Sequence, residues 1–365
     1  LKLLLCLSLV FCGCRFVRSE PQAQAMLLPE ALPPSRGNAY ADSDDAAQLG
    51  FKIFFDARFS SDGEMRCATC HQPEAHFGDA EPTSPSRDGS VLRNSPSVFN
   101  SARNQWQFWD GRADSLWSQP AFAFENPAEM DFSRIGIAQR IGKTYAKEYT
   151  AVFGALPDLT RFADAGKPGD AAYDALSSED KVAIDRVMVN VGKSLDAYMR
   201  KIATGRAAFD RYLLGDESAI TQVAKQGLEV FLTQGCAACH SGPTLSDEAF
   251  HNTLSEETDP GRAAAYAVLD ASPFRADGVF ADPSDLPALQ TAPRPSDLHA
   301  FKTPSLRNVA STAPYFHDGR AATLEAAVFA HGARLSTDER RAVVTFLKTL
   351  DGDYPPSPWN SWPEK

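Results

Sequence analysis

Cysteine is scarce in this chain, with only seven among 365 residues. Three of them (Cys6, Cys12 and Cys14) sit near the start, and the other four form two Cys-x-x-Cys spacings. No disulfide framework is therefore left for the body of the chain. Histidine is equally sparse, also at seven. Basic residues are outnumbered, 36 Lys and Arg against 47 Asp and Glu, which gives a net charge of -11. That balance argues against nucleic acid and favours a neutral or basic protein partner. Hydrophobic content of 43% and charged content of 23% exclude a disordered chain. The apolar run at residues 3–12 is too short to span a bilayer and suits the apolar region of an export signal.

The four remaining cysteines lie in two pentads of one kind, Cys67-Ala-Thr-Cys-His71 and Cys236-Ala-Ala-Cys-His240. In such a pentad the two thiols add to the haem vinyl groups and the histidine becomes the proximal iron ligand. A pair of zinc or redox dithiol sites is the competing reading. The histidine following the second cysteine both times opposes it, as does the lack of further cysteines to complete four-thiolate sites. Two pentads on an exported chain point to a di-haem c-type cytochrome. Haem attachment of this kind belongs outside the cytoplasm, so the expected location is the periplasm. Phe11-Cys12-Gly13-Cys14 loosely matches a lipoprotein cleavage box, with Cys14 as a candidate lipid anchor.

Periodicity places helices near 44–55, 135–153, 181–203, 221–232, 323–331 and 337–350. Two long stretches rich in Pro and Gly, 72–133 and 241–303, carry little periodicity and need something large to wrap. The order of helix, pentad, irregular stretch and helix occurs twice. The expected fold is mainly α, with two cytochrome c-like domains, each around one covalently bound haem c. The expected division is 1–19 export segment, 20–43 flexible tether, 44–210 first domain, 211–352 second domain and 353–365 tail, with 205–216 as the boundary region.

The sequence resembles the bacterial di-haem cytochrome c peroxidases and the related MauG-like enzymes over roughly residues 45–350. The resemblance rests on Arg93-Asn-Ser-Pro-Ser97, Phe108-Trp-Asp-Gly-Arg112, Phe301-Lys-Thr-Pro-Ser-Leu-Arg-Asn308 and Ala313-Pro-Tyr-Phe-His-Asp-Gly319, in the family's order. It implies that Trp109 lies between the two haems and couples them. It implies that Glu129 is the distal carboxylate over the peroxidatic haem 1, which moves a proton between the peroxide oxygens, with Gln119 as a second distal polar residue. It also implies a calcium ion between the domains, held by oxygens of Asn94, Thr312 and Pro314.

Two departures from the family pattern carry more information. The loop before the Arg-Asn-x-Pro motif, residues 84–93, holds no histidine to occupy the distal side of haem 1, so haem 1 is expected to be open at rest. His76 follows His71 too closely to cross the haem plane easily. At the distal position of haem 2, where relatives carry Met or Tyr, this chain has His331. Bis-histidine ligation is expected to lower the haem 2 potential, because a thioether favours Fe(II). His251 and His317 are expected to be structural, and His299 is assigned no role. The leading expectation is a peroxidase that takes hydrogen peroxide at haem 1 and electrons at haem 2 from a cytochrome c or cupredoxin. The alternatives are a MauG-like enzyme acting on a partner protein and a non-catalytic electron-transfer cytochrome. A homodimer is compatible with all three.

Overall fold

The same helical device appears twice along the chain. In the first half, the Ser43 hydroxyl accepts from the Ala46 amide, and Asp44 and Asp45 fill the first turn of the helix Asp44–Phe54. Its buried face, including Leu49, Ile53 and Phe54, crosses the long helix Ser178–Lys201, which buries Ile184, Val187, Val191, Leu195 and Tyr198. In the second half, Thr221 caps the helix Gln222–Thr233. That helix crosses Thr337–Leu347, which starts with a reciprocal Ser336/Glu339 capping box. Each crossing is made at a glycine. A Cβ on Gly50 would sit 1.9 Å from the Ser194 carbonyl oxygen, and one on Gly227 would sit 2.0 Å from that of Ala342. Any side chain at either position would force the helices apart.

The coordinates are a computed structural model that describes residues 20–89, 91–253, 257–289, 292–331 and 334–363. The chain is mainly helical. Among the described residues the one sheet is a two-stranded antiparallel pair, Phe250–His251 with Phe301–Lys302, in which Phe250 faces Lys302. Apolar side chains gather into two principal cores, one for each helix crossing. Between the halves, the buried Arg262 lies over the rings of Trp106, Phe250 and Tyr266 at 4.2, 4.3 and 4.5 Å. Its guanidinium donates to the Asp110 and Gly111 carbonyls at 3.1 and 2.6 Å.

The periodic helices stand where expected, with 135–153 divided at Tyr145 into Arg134–Thr144 and Ala146–Phe153. Three further helices, Gln119–Glu125, Ala208–Leu213 and Arg262–Ala271, interrupt stretches expected to be irregular. The helix Ala208–Leu213 lies inside the expected boundary region, yet it places Phe209, Tyr212 and Leu213 in the second core.

The first described segment departs from expectation, while the last stays on the surface. Residues 20–43 are packed rather than free. Ala23 and Met26 enter the second core, the Leu28 amide donates to Asp210 at 2.8 Å, and Trp117 Nε1 donates to the Arg36 carbonyl at 2.8 Å. The segment 353–363 folds back onto the first half. There Trp359 meets Phe51 and Tyr198 at 5.8 and 6.3 Å, and Trp362 meets Phe55 at 5.0 Å. A composition rich in Pro, Ala, Ser and Gln suggested a flexible tether at 20–43, but a few apolar side chains were enough to anchor it. The export segment 1–19, with Cys14, lies outside the described residues. No described helix is long and apolar enough to cross a membrane.

The strongest single tie in the second half is the ion pair of Arg307 and Asp210, whose side chains are 2% and 0% exposed. Two guanidinium–carboxylate bonds of 2.7 and 3.0 Å join them, and Arg307 also donates to the Met26 and Pro243 carbonyls. Removing one partner strands a buried charge, so Arg307→Ala is expected to cost about 3–5 kcal/mol. Denaturant unfolding of the haem-loaded protein reads this directly. A double replacement, Arg307→Met with Asp210→Leu, should recover most of the loss, and no recovery would show that the backbone contacts carry the effect.

Candidate functional site

Each pentad is built to leave one imidazole nitrogen free. Cys67–Cys70 forms a single helical turn, begun where the Arg66 amide donates to Thr69 Oγ1 at 3.1 Å. His71 follows it, with Nδ1 lying 3.1 Å from the Phe77 carbonyl. In the second pentad His240 Nδ1 lies 2.9 Å from the Leu245 carbonyl. A carbonyl can only accept, so in both rings Nδ1 carries the hydrogen and Nε2 keeps its lone pair for a metal. The acceptor residues turn back in the left-handed region, Phe77 at φ 57° and Leu245 at φ 50°. The local backbone is thus strained to orient the histidine.

Burial keeps both rings neutral. It lowers His71 below the ordinary histidine range and takes His240 down to about 4. Burial also pushes the Cys67 and Cys70 thiols up to about 12. A thiol so hard to ionise is a poor redox nucleophile, so the redox-dithiol reading of this pentad is disfavoured. Cys239, Asp247 and His251 offer ligand atoms within 4.8 Å of one another, and Asp247 is already engaged by His251 at 2.8 Å.

The two pentads differ in what faces them. The ring centroid of His331, at the end of the helix Leu324–Ala330, stands 6.2 Å from that of His240. His331 Nδ1 is held by the Ala327 carbonyl at 2.8 Å, so its Nε2 is again the free nitrogen. Two metal–imidazole bonds of roughly 2.0–2.1 Å place ring centroids about 6 Å apart, so this spacing fits one iron between the rings. Among the described residues, no imidazole is paired with His71 in this way. His76 turns to Tyr354 and Phe99 at 5.4 and 6.3 Å. His299 is held by the Asp259 carbonyl, and His251 by Asp247 at 2.8 Å. His317 stacks on Phe301 at 3.7 Å and pairs with Glu257 at 3.1 Å. The structural reading of His251 and His317 agrees with these contacts.

Glu129 lies near enough to Cys67 and Cys70 for its charge to raise both thiols. Its Oε1 accepts from Asn126 Nδ2 at 2.6 Å. Burial raises its pKa above the ordinary carboxyl range, against the opposing pull of Asn126 and Arg112. Gln119 opens the helix Gln119–Glu125 and makes no side-chain hydrogen bond to a described residue. Trp109 is tied to both halves, for its Nε1 donates to the Asn94 carbonyl at 2.9 Å and its own carbonyl accepts from the Lys302 amide at 2.7 Å. Beside it, Arg93 bridges Asp259 with bonds of 2.7 Å and reaches Asp110 at 2.5 Å.

Asn94 faces the 312–317 segment, where its amide donates to the His317 carbonyl at 2.7 Å. Asn94 Oδ1 and the carbonyls of Thr312 and Pro314 accept no hydrogen bond from a described residue, which suits oxygens kept for a hard cation. Asn126 escaped the sequence reading, and Arg93 was read as a motif residue without its ion pairs. Asn126 opens an Asn-Pro turn that looks like ordinary loop chemistry, and its spacing of three from Glu129 is the one signal it offered.

Fold and site together define a mainly helical protein with two Cys-x-x-Cys-His segments and a partly buried carboxylate beside the first. The sequence profile of the family described as di-haem cytochrome c peroxidase matches residues 44–218. The chain is 34% identical to the cytochrome c551 peroxidase of Pseudomonas aeruginosa, over 92% of this chain and 86% of that protein. It is also 34% identical to the methylamine utilization protein MauG of Methylorubrum extorquens, over 89% and 83%. A crystal structure of a MauG-like protein associated with microbial copper homeostasis superposes with a TM-score of 0.64 and 25% identity, over 92% of this chain and 98% of that one. The chain belongs to the di-haem cytochrome c peroxidase family and is an oxidoreductase of that type.

Proposed function

We propose that this protein reduces hydrogen peroxide to water with electrons from a small redox protein such as a cytochrome c or cupredoxin. The observation that carries the reading is the asymmetry of the two pentads: His240 faces a second imidazole and His71 faces none. Each half would wrap one covalent haem c, held by Cys67, Cys70 and His71 in the first and by Cys236, Cys239, His240 and His331 in the second. When bound, haem supplies the redox chemistry, with haem 1 open to peroxide and haem 2 closed. The overall reaction takes one peroxide, two electrons and two protons to two waters.

The protein side chains handle orientation and protons. Glu129 takes a proton from one peroxide oxygen and returns it to the departing one, and Asn126 holds the carboxylate in place. Gln119 orients peroxide or water. Trp109, bonded to both halves, keeps an aromatic ring between the two centres. Oxygens of Asn94, Thr312 and Pro314 hold a calcium ion that fixes the halves against each other. The export segment and the extracytoplasmic chemistry of the pentads support a periplasmic location, with Cys14 as a candidate lipid anchor and ordinary cleavage before Ala41 as the alternative.

Electron paramagnetic resonance of the ferric protein tests the proposal. The expected result is a high-spin signal that one equivalent of peroxide abolishes, beside a low-spin bis-imidazole signal. Two low-spin signals unmoved by peroxide would sink it. The absence of histidine in residues 84–93 also favours a second reading, oxidation of a partner protein in the manner of MauG. Steady consumption of a reduced cytochrome or cupredoxin separates the two, because the second reading expects modification of the partner and little turnover.

A further inference from the structure

A groove of about 610 Å³ runs between the helices Leu324–Ala330 and Thr337–Leu347. Ala326, Phe329 and Val344 give it an apolar lining, Arg340 and Arg341 line it on the second helix with Lys348 just after that helix, and Glu325 lines it on the first. Phe329 is a large apolar side chain left 67% exposed. The Arg340 guanidinium lies over its ring at 5.2 Å. Lys348 stands 3.7 Å from Glu325, whereas Arg340 and Arg341 have no carboxylate within ion-pair distance among the described residues. The helix that carries Phe329 ends at His331, which faces His240. The groove therefore shares a helix with the imidazole that faces the second pentad.

We propose that this groove is the docking surface for an acidic electron-donor protein, with an apolar contact of the donor on Phe329 and its carboxylates against Arg340 and Arg341. The proposal rests on the reading that electrons enter through haem 2. Charge complementarity argues for the occupant. The chain as a whole carries a net charge of -11, yet this groove is lined by Arg340, Arg341 and Lys348 against a single acid, Glu325, which stands 3.7 Å from Lys348 and leaves the two arginines in excess. A local patch of one sign around an apolar contact orients a partner of the other sign, even on a molecule of unfavourable total charge. The bulk expectation of a neutral or basic partner is thereby reversed at this site. Size argues against a permanent partner. Transient redox encounters bury less than about 1,200 Å² in total and obligate dimers roughly 2,000 Å² or more, and a groove between helices of 7 and 11 residues belongs with the former.

The experiment uses the haem-loaded protein with an acidic plastocyanin as probe and a basic mitochondrial cytochrome c as comparison. Binding of the oxidised probe is measured by calorimetry, and peroxide-dependent oxidation of the reduced probe by absorbance. For Arg340→Glu with Arg341→Glu, Kd and KM for plastocyanin are expected to rise tenfold or more, with a flatter salt dependence. Peroxide turnover with a small neutral dye is expected to stay unchanged, as are the haem spectra. Arg340→Lys with Arg341→Lys should retain binding, and Phe329→Ala should weaken it without changing the salt dependence.

Unchanged Kd and KM in the charge-reversed variant would overturn the proposal. So would tighter binding of the basic cytochrome by the native protein, or a dimer that the charge reversal dissociates without any change in plastocyanin kinetics. Arginine-dependent binding without peroxide-dependent oxidation would leave the groove standing and remove the peroxidase reading instead.

Discussion

Replacing Glu129 with glutamine is expected to slow the reaction with peroxide by roughly 10²–10⁴-fold, the usual contribution of a positioned acid–base group. Both haem spectra should stay in place, because Glu129 is not among the residues that hold haem. The isosteric amide keeps the contact with Asn126 but cannot accept the peroxide proton. The pH profile gives a second readout. Burial raises the Glu129 pKa, so its carboxylate form is lost at a higher pH than for an ordinary glutamate near 4.3. As pH falls through that raised value, the peroxide reaction should slow. The acid limb should therefore lie above the normal carboxyl range and vanish in Glu129→Gln. Asn126→Ala removes a hydrogen bond to the charged form and should move the limb higher still. Stopped-flow mixing with peroxide across the acid range measures all three proteins. A Glu129→Gln rate within a few-fold of the parent would remove the residue from the mechanism.

The second large effect is expected at His331. Substitution by alanine should convert the low-spin signal of haem 2 to a high-spin one and open a second peroxide-reactive centre. Substitution by methionine should keep that haem low-spin and raise its potential on the order of 0.1 V, within the roughly 0.8 V range that axial ligands span. The basis is geometric, since the two rings stand 6.2 Å apart with both Nδ1 atoms bonded to backbone carbonyls. Redox titration followed by electron paramagnetic resonance measures both outcomes. An unchanged spectrum in His331→Ala would show that His331 is a helix-terminal side chain and nothing more.

Much of this was legible in the sequence. The pentads are read by spacing alone, and the crossing helices by apolar periodicity sustained over 11 or more residues. His331 could be singled out because histidine is rare and this one ends a helix. What was not legible depends on distance along the chain. The Leu28 amide meets Asp210 across 182 residues, and nothing local to Leu28 announces it. The position of Asn126 beside Glu129 follows from a turn whose residues look like any other loop. Arg262–Ala271 was hidden differently, as an alanine-rich helix flanked by Gly and Pro that dominate the composition around it.

The exchanged ends of the described chain bear on how such a protein can be made. Met26, near one end, completes the core of the second half, and Trp359, near the other, covers Tyr198 in the first. During vectorial synthesis or translocation, the first half emerges long before its aromatic cover. The second half waits with its partner segment already outside. Neither half is a separable unit, and these latest contacts carry the largest loop-closure entropy.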